Sequence, residues 1–562
     1  MPTWLNDAVF YEIYPQSYYD SNGDGIGDIE GIIEKLPYIT SLGVNALWLN
    51  PCFDSPMKDA GYDVRDYKKV APRYGTNEDL ARLFREAHKA GVRVLLDLVP
   101  GHTSEEHEWF KQSSKARRNE YSDRYIWTSF GFQGAAQNYV AGEAERDGAY
   151  ILNFFKCQPA LNYGYGEVKE SWQQATDAAG PRASVEALKD IMRFWLDMGC
   201  DGFRVDMADS LVKNDTENKD YTQKIWREVR EMLDRDYPEA AIVSEWDNAE
   251  RAIKAGFHMD FTLNNGGTGY SKLTRDFINH GEWLVCDGKT KSDALREKYL
   301  KEDASGRTVN TVSDGEDIEK VWREELELTD NTYFRKDGKG EITEFLRDYE
   351  ARFAAVRGKG YVSLISGNHD TPRINFLLDD RERRLFFTML YTMPGVPFLY
   401  YGDEIGMKYR NLQTKEGGYQ RTGSRTPMQW DDSKNLGFST AEADALYLPV
   451  EGGQAPTVAS QSEDEGSLLN FIKSLIALRH KTPDLQADGS FNVLHATYGD
   501  RLFIYRRGVH IVAINPSGEE RSAELAEDQL MGLSGQSVFS LGEGGLEGRR
   551  ITLAAQSAVV LK

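Results

Sequence analysis

The feature that most limits how this chain can fold is a short apolar run that recurs along its first four-fifths. The runs are AVFYEIYP (8–15), VNALWLNP (44–51), VRVLLDLV (92–99), CDGFRVD (200–206), AAIVSEW (240–246), HMDFTL (258–263), GYVSLIS (360–366) and GVPFLYYG (395–402). Their apolar residues are continuous rather than alternating, as in parallel strands covered on both faces. Segments with apolar residues at helical spacing lie between several of them: DIEGIIEKLPYITSLG (28–43), NEDLARLFREAHKAG (77–91), VEALKDIMRFWLDMG (185–199) and KIWREVREMLDRDY (224–237). The second of these starts at an Asn cap and ends near Gly91. Eight strands in alternation with helices predict an α/β fold, a closed (β/α)8 TIM barrel.

Three intervals break the rhythm. Residues 103–170 are rich in Gly, Tyr and Asn without regular helices, and read as a small domain B inserted after strand three. Residues 266–350 form a long charged insertion that roofs the barrel, builds an oligomer contact or is a solvated excursion. Residues 403–465 follow strand eight as an irregular subdomain. After the helical stretch LLNFIKSLIALRHK (468–481) come the alternating runs FNVLHATY, RLFIYRR, HIVAINP, SVFSL and AVVLK. They predict a C-terminal antiparallel β-sandwich domain over 487–562. The barrel then comprises 1–102 and 171–486.

With 89 acidic against 67 basic residues the net charge is −22, which repels nucleic acid and anionic membrane and favours a neutral small-molecule partner. Cys52, Cys157, Cys200 and Cys286 lack CxxC spacing, so free thiols in a reducing compartment are expected. No segment has the ~18 apolar residues of a membrane span and the first residues carry no secretory signal pattern, so a cytoplasmic location is expected. Oligomeric state is left open.

Barrel active sites lie at the C-terminal ends of the strands. Strand three ends Asp97-Leu-Val-Pro-Gly-His102, strand four carries Arg204 and Asp206, strand five ends at Glu245, and strand seven leads to His369 and Asp370. Arg204 and Asp206, two apart on a strand, point the same way. Any one of these polar residues alone is ordinarily a solvated strand end, but together on one rim they make a site. A carboxylate pair beside an arginine suits acetal hydrolysis: the arginine keeps the nucleophile ionised while the acid holds its proton. A retaining glycosidase needs the two carboxyls ~5–5.5 Å apart.

The order and spacing of VFYEIYPQSYYDSNGDGIGD, GVNALWLNP, DLVPGH, GFRVDMAD, SEWDN, SGNHD, GVPFLYYGDE and RTPMQW resemble the α-amylase family of glycoside hydrolases. Within it the chain is similar to the oligo-1,6-glucosidase, α-glucosidase and trehalose synthase branch. The resemblance implies Asp206 as nucleophile, Glu245 as general acid and base, and Asp370 as the acid that holds the sugar's hydroxyls. It also implies that Arg204 orients Asp206 and that His102 and His369 bind hydroxyls of the cleaved sugar. Tyr62 and Asp63 match the pocket for the terminal glucose, and Arg425 resembles the arginine that pairs with that aspartate to close it. Phe130 and Phe132 are candidates for a stacking wall or for packing of domain B. The implied activity is a retaining, exo-acting α-glucosidase on short oligosaccharides or disaccharides. The alternative is a glucosyltransferase or isomerase, trehalose synthase-like or sucrose isomerase-like, and the RLDRD-like loop of sucrose isomerases is absent from the sequence. Transporter heavy chains share the barrel but need a membrane anchor and lack the acids.

Three positions depart from the family. Gly101 stands where amylases carry a calcium-binding Asn, Ala160 replaces the acid of QPDLN, and Met207 follows the nucleophile where Val accompanies α-1,6 and Ala or Thr α-1,4 activity. Linkage preference stays open. The stretch DSNGDGIGD (20–28) looks like half an EF-hand, but counting from Asp20 position twelve is Gly31 rather than Glu. The resemblance instead implies a structural cation there, held by Asp20, Asn22, Asp24 and Asp28 side chains and the Ile26 carbonyl. Calcium is expected, with magnesium the second candidate. No organic cofactor is expected.

Overall fold

In the computed structural model the eight apolar runs form one closed parallel barrel. The strands are β1 (Phe10–Ile13), β2 (Ala46–Leu49), β3 (Arg93–Leu98), β4 (Gly202–Val205), β5 (Ala241–Ser244), β6 (Met259–Phe261), β7 (Tyr361–Ile365) and β8 (Val396–Tyr400). Each pairs with its neighbour in sequence, and β8 closes on β1. The structure describes residues 1–133, 138–263, 269–275, 332–410, 412, 415–416 and 421–562, with four short strand segments between 285 and 310. Most of the 266–350 insertion, and the choice among its three readings, therefore lies outside the described residues, as does the Cys286 side chain.

Every residue of these eight strands except Arg93 is buried, which accounts for their continuous apolar character. The exceptions in type are few: Glu12, Asp97, Arg204 and Asp260 are charged types buried on strands, and Ser244 and Ser363 are buried hydroxyls. The register sets Asp97 of β3 opposite Arg204 of β4, and Glu12 of β1 opposite Trp48 of β2.

The outer ring includes α1 (Asn77–Lys89), α2 (Ala179–Asp197), α3 (Asp220–Asp236), α4 (Ala249–Ala255), α5 (Ile342–Val356), α6 (Asp380–Thr392) and α7 (Leu468–Lys481). The cap of α1 is Thr76, not Asn77: Thr76 and Asp79 form a reciprocal capping box. Asn77 is already helical, and its amide bonds the Lys68 carbonyl and the Val70 N–H. The expected helix over 28–43 is two helices, Ile29–Glu34 and Leu36–Leu42, with Pro37 in the first turn of the second. Proline has no N–H for a continuous helix but fits a helix start. α2 begins at Ala179, earlier than expected, because Pro181 sits in its first turn. Residues 103–170 do contain one helix, Glu108–Ser113, and a two-stranded sheet of Tyr139–Ala141 and Ala149–Ile151.

At the C-terminus, strands β9 (Asn492–Ala496), β10 (Phe503–Arg507), β11 (His510–Asn515), β12 (Arg521–Glu524), β13 (Ser537–Leu541), β14 (Gly544–Glu547), β15 (Arg550–Leu553) and β16 (Ser557–Leu561) form two antiparallel sheets. Their orders are β9-β10-β11-β16-β13 and β12-β15-β14. Period-two alternation assigns the faces. Ile504, Ile511, Ala513, Val559 and Leu561 pack with Ala523, Ile551 and Leu553 between the sheets. Their neighbours Phe503, Tyr505, Val512, Ile514, Ala558 and Val560 join the barrel's core. The three strands absent from the sequence reading, β12, β14 and β15, are short and half polar.

Cys52, Cys157 and Cys200 are free thiols. Burial pushes Cys52 and Cys157 up to about 12, which keeps both protonated and unreactive. Among the described residues, no helix is long and apolar enough to cross a membrane.

Candidate active site

The C-terminal rim of the barrel is organised around Arg204, a guanidinium 1% exposed. Its Nη1 donates to Asp97 Oδ1 at 2.9 Å and to Asp206 Oδ1 at 3.0 Å. Its Nη2 lies 2.9 Å from Glu245 Oε2. Three carboxyl groups thus share one positive charge. An uncompensated buried carboxylate costs several kcal/mol, so this group holds a proton at neutral pH.

The surroundings indicate where that proton resides. Burial pushes Glu245 up to about 8, with Asp206 adding repulsion, and Arg204 only partly offsets the rise. Burial and repulsion from Asp97 raise Asp206 too, to about 7, with Arg204 and a hydrogen bond from the Glu245 side chain offsetting part of the rise. Glu245 is thus the carboxyl that keeps its proton to the higher pH. The proton therefore sits on Glu245 and Asp206 keeps its charge. The Met207 N–H also acts on Glu245, lowering it against the larger effect of burial. The φ of Met207, 42°, is in the left-handed region that non-glycine residues avoid, and this turn aims its N–H at Glu245 Oε2, 3.0 Å away.

A second group of charges flanks the first. Asp370 Oδ1 accepts from Arg421 Nη1 at 2.7 Å and from Arg425 Nη2 at 2.8 Å, and its Oδ2 lies 3.3 Å from His369 Nε2. Burial disfavours its charge, but His369, Arg421 and Arg425 outweigh that and hold Asp370 well below the usual carboxylate range. Arg425 continues outward to Glu416 Oε2 at 3.1 Å, and its Nε donates to the His369 carbonyl. Beneath lies a polar floor. Tyr62 stacks on His369 with ring centroids 5.4 Å apart, and its hydroxyl bonds Asp97 Oδ2.

Asp206, Glu245, Asp370, Arg204, Tyr62, His369 and Arg425 are thus brought together as the sequence predicts. Asp63 is not. Its carboxylate is fully buried and accepts from Ser55 Oγ and the N–H groups of Lys58 and Asp59, each at 3.0 Å. It shapes the turn and does not meet Arg425. The aspartate–arginine pair is instead Asp59 with Arg421, four residues earlier in each segment. Arg421 bonds both Asp59 and Asp370, and Gln158 Nε2 holds Asp59 Oδ2 at 2.7 Å. The signal was the first arginine of QRTGSRTPMQW, since either arginine fits a pairing role from sequence alone.

His102 lies beside this group, with Nε2 3.2 Å from the Tyr62 carbonyl and Nδ1 3.1 Å from Asn153 Nδ2. Burial pushes it down to about 3, so it is neutral. Phe130 and Phe132 are 51% and 86% exposed and contact each other, so neither packs domain B. Beside Gly101, at the junction of barrel and inserted domain, an ammonium makes the link. Lys213 Nζ donates to Asn153 Oδ1 at 2.9 Å and to the Ser210 carbonyl at 2.8 Å. A side chain at Gly101 would press on this junction, its Cβ 2.7 Å from Asn153 Nδ2. Ala160 is fully buried and bridges to His102, with no room for an acid's charge.

The 20–28 loop fastens a different region. Asp20 accepts from the N–H groups of Asn22, Gly23 and Gly25 and from Ser439 Oγ, and its own N–H bonds the Phe438 carbonyl. Asp28 caps the helix Ile29–Glu34 and accepts from Ser21 and Asn22. Asn22 and Asp24 each accept the N–H two residues on. The five donors are hard oxygens of the kind calcium takes, although here Asp20 and Asp28 spend their oxygens on the loop itself. Among the described residues, the 20–28 loop included, no three His, Cys, Asp or Glu side chains converge as they would around a metal ion.

A parallel barrel with two acids and an arginine on its rim defines a carbohydrate-active barrel enzyme of the kind that uses paired carboxyls. Residues 12–267 and 313–488 match the family model "Alpha amylase, catalytic domain". The chain belongs to the α-amylase family of glycoside hydrolases. It is 32% identical over 548 residues to an oligo-1,6-glucosidase from Parageobacillus thermoglucosidasius, covering 90% of this chain and 87% of that one. It is also 32% identical over 523 residues to a trehalose synthase/amylase from Mycolicibacterium smegmatis, covering 87% and 78%. Among solved structures, the trehalulose synthase of Pseudomonas mesoacidophila superposes with a TM-score of 0.75 at 25% identity over the full length of both chains.

Proposed function

We propose that this chain is a retaining, exo-acting α-glucosidase that removes terminal α-linked glucose from short oligosaccharides or disaccharides. The observation that carries the reading is the Arg204 hub, which sets an ionised Asp206 beside a protonated Glu245. Two carboxyls on neighbouring nitrogens of one guanidinium fit the ~5–5.5 Å spacing of retaining enzymes better than the ~6.5–9.5 Å of inverting ones. Asp206 attacks the anomeric carbon while Glu245 gives its proton to the leaving oxygen. Glu245 then takes a proton from water, which displaces Asp206 and restores the starting configuration. Asp370 holds the sugar's hydroxyls, with Tyr62, His102 and His369 around the same ring. The exo preference rests on Arg421, which ties Asp59 to Asp370 and closes the space beside the reacting carboxyls to a chain running through.

A second reading has support from relatives named as a trehalose synthase and a trehalulose synthase. It keeps the covalent intermediate and lets a sugar hydroxyl take the place of water. Incubation with maltose, isomaltose, sucrose, trehalose and kojibiose separates the two. Free glucose in proportion to substrate lost supports hydrolysis, and a new disaccharide as the main product supports transfer. No turnover of any of the five sinks both.

The 20–28 loop is proposed as a structural calcium site using Asp20, Asn22, Asp24, Asp28 and the Ile26 carbonyl. Asp24, whose carboxylate meets only one loop N–H, is the donor with most capacity to spare. Calcium at a hundred times its Kd is expected to stabilise the fold by about 2.7 kcal/mol, read as a rise in Tm that EDTA reverses. Asp24→Ala should remove the rise while leaving the metal-free Tm nearly unchanged. A Tm indifferent to calcium would discard the site.

A further inference from the structure

Behind His369 lies a carboxyl group to which the mechanism above gives no task. Glu12 of β1 is fully buried on the barrel axis. Its Oε1 lies 2.9 Å from His369 Nδ1 and accepts from Asn50 Nδ2, which is 3.1 Å from both. Its Oε2 is buried and meets no hydrogen-bond partner among the described residues. From His369 the chain of contacts continues: Nε2 to the Tyr62 hydroxyl at 2.8 Å, then that hydroxyl to Asp97 Oδ2 at 2.9 Å.

Counting protons along this chain gives a definite result. Three hydrogen bonds in series need three protons, one between each pair of heavy atoms. A neutral imidazole and a phenol supply two. With both end carboxyls ionised, one of the three short contacts would set two lone pairs against each other. The network therefore holds one proton more than ordinary ionisation states allow.

Its position follows from the partners of the two end groups. Asp97 bonds the Arg204 guanidinium and also accepts from Trp48 Nε1 at 3.1 Å, so its charge has direct partners, although burial still raises it to about 6. Among the described residues Glu12 touches no guanidinium. The charged groups that act on it from a distance are Arg204, Asp97 and Asp370, and two of the three disfavour its ionisation. Tyr400, across the β1–β8 pairing, adds no compensating charge. On the other side, Arg204, Arg421 and Arg425 oppose a positive charge on His369 and Asp370 favours one. Tyr14 stacks over the imidazole and offers no charge.

We propose that Glu12 works as a neutral carboxylic acid, donating its proton to His369 Nδ1 and so fixing the tautomer with the proton on Nε2. That N–H points at the Tyr62 oxygen and lies 3.3 Å from Asp370 Oδ2, so the Tyr62 hydroxyl must donate onward to Asp97. Glu12 is thus a positioning residue. It sets the direction of every hydrogen bond between the pocket floor and the Arg204 hub. Burial, the dominant influence on both, raises Glu12 and lowers His369, in keeping with a neutral acid beside a neutral imidazole.

The effect on turnover rests on the glycosidase reading; the protonation state does not. Glutamine has the shape of protonated glutamate and offers an N–H where the acid offers its O–H. Glu12→Met, which removes the donor, is expected to lower kcat/KM by roughly 10²-fold, the range for one lost positioned donor, and Glu12→Gln to restore most of it. An ionised Glu12 paired with an imidazolium predicts that Glu12→Gln fails as badly as Glu12→Met at unchanged Tm, and that result overturns the proposal. Independently of activity, 15N-histidine NMR of the wild-type enzyme at neutral pH, assigned with His369→Asn, should show a proton on His369 Nε2 and an acceptor at Nδ1. A proton resident on Nδ1 overturns the proposal whatever the variants do, including a Glu12→Gln protein that does not fold.

Discussion

Replacing Asp206 by Asn is expected to lower kcat on the order of 10⁴-fold or more against any substrate the enzyme accepts, as loss of a nucleophile does elsewhere. The amide cannot form the covalent intermediate, and the side chain is otherwise isosteric. The fold should not suffer. Asp206 is one of three carboxyls on Arg204, and removing one relieves repulsion while Asp97 and Glu245 still satisfy the guanidinium. An unchanged or raised Tm together with lost turnover is the expected pair of results. Activity within tenfold of wild type would remove Asp206 from the role.

Glu245→Gln should cost ~10²–10⁴ in kcat/KM, the usual contribution of a positioned general acid. Its pH dependence is the sharper measurement. Glu245 acts in its protonated form, and its pKa is raised from 4.5 to about 8. The acid form therefore persists through neutral pH and is lost as pH rises through about 8, which sets the alkaline limb of the wild-type profile. The acidic limb belongs to Asp206, which acts ionised and fails as pH falls. In Glu245→Gln the alkaline limb should vanish while the acidic limb remains. An activated aryl glucoside, whose leaving group needs no proton, should regain the first step and give a burst, because the second step still lacks its base. An alkaline limb that survives the substitution would assign it to another group.

Much of this site was legible because barrel strands impose a rule on the chain. Residues that end a strand must face the rim, so Arg204, Asp206, Glu245, His369 and Asp370 could be placed before any coordinates. Loops carry no such rule. Asp59 and Asp63 sit in the same turn, Arg421 and Arg425 in the same segment, and periodicity does not say which member of each pair faces the site. Ala60, with φ at 52°, and Gly61, with φ at 100°, reverse the chain between the two aspartates, which leaves Asp59 toward Arg421 and Asp63 toward backbone N–H groups.

Glu12 shows the same division within a strand. In YEIYP it reads as one polar residue in an apolar run, with no sign of its role. Its meaning depends on His369, which is 357 residues away in sequence and 2.9 Å away in the barrel. The amino-acid sequence by itself determined the eightfold strand–helix alternation, the family and the acids at the strand ends, because these follow from local pattern and spacing. The tertiary structure alone decided which aspartate meets which arginine, and how three carboxyls share one guanidinium. It also decided where the buried protons reside. Those are properties of charges brought together across the barrel after water has been excluded, and desolvation is not encoded at any single position.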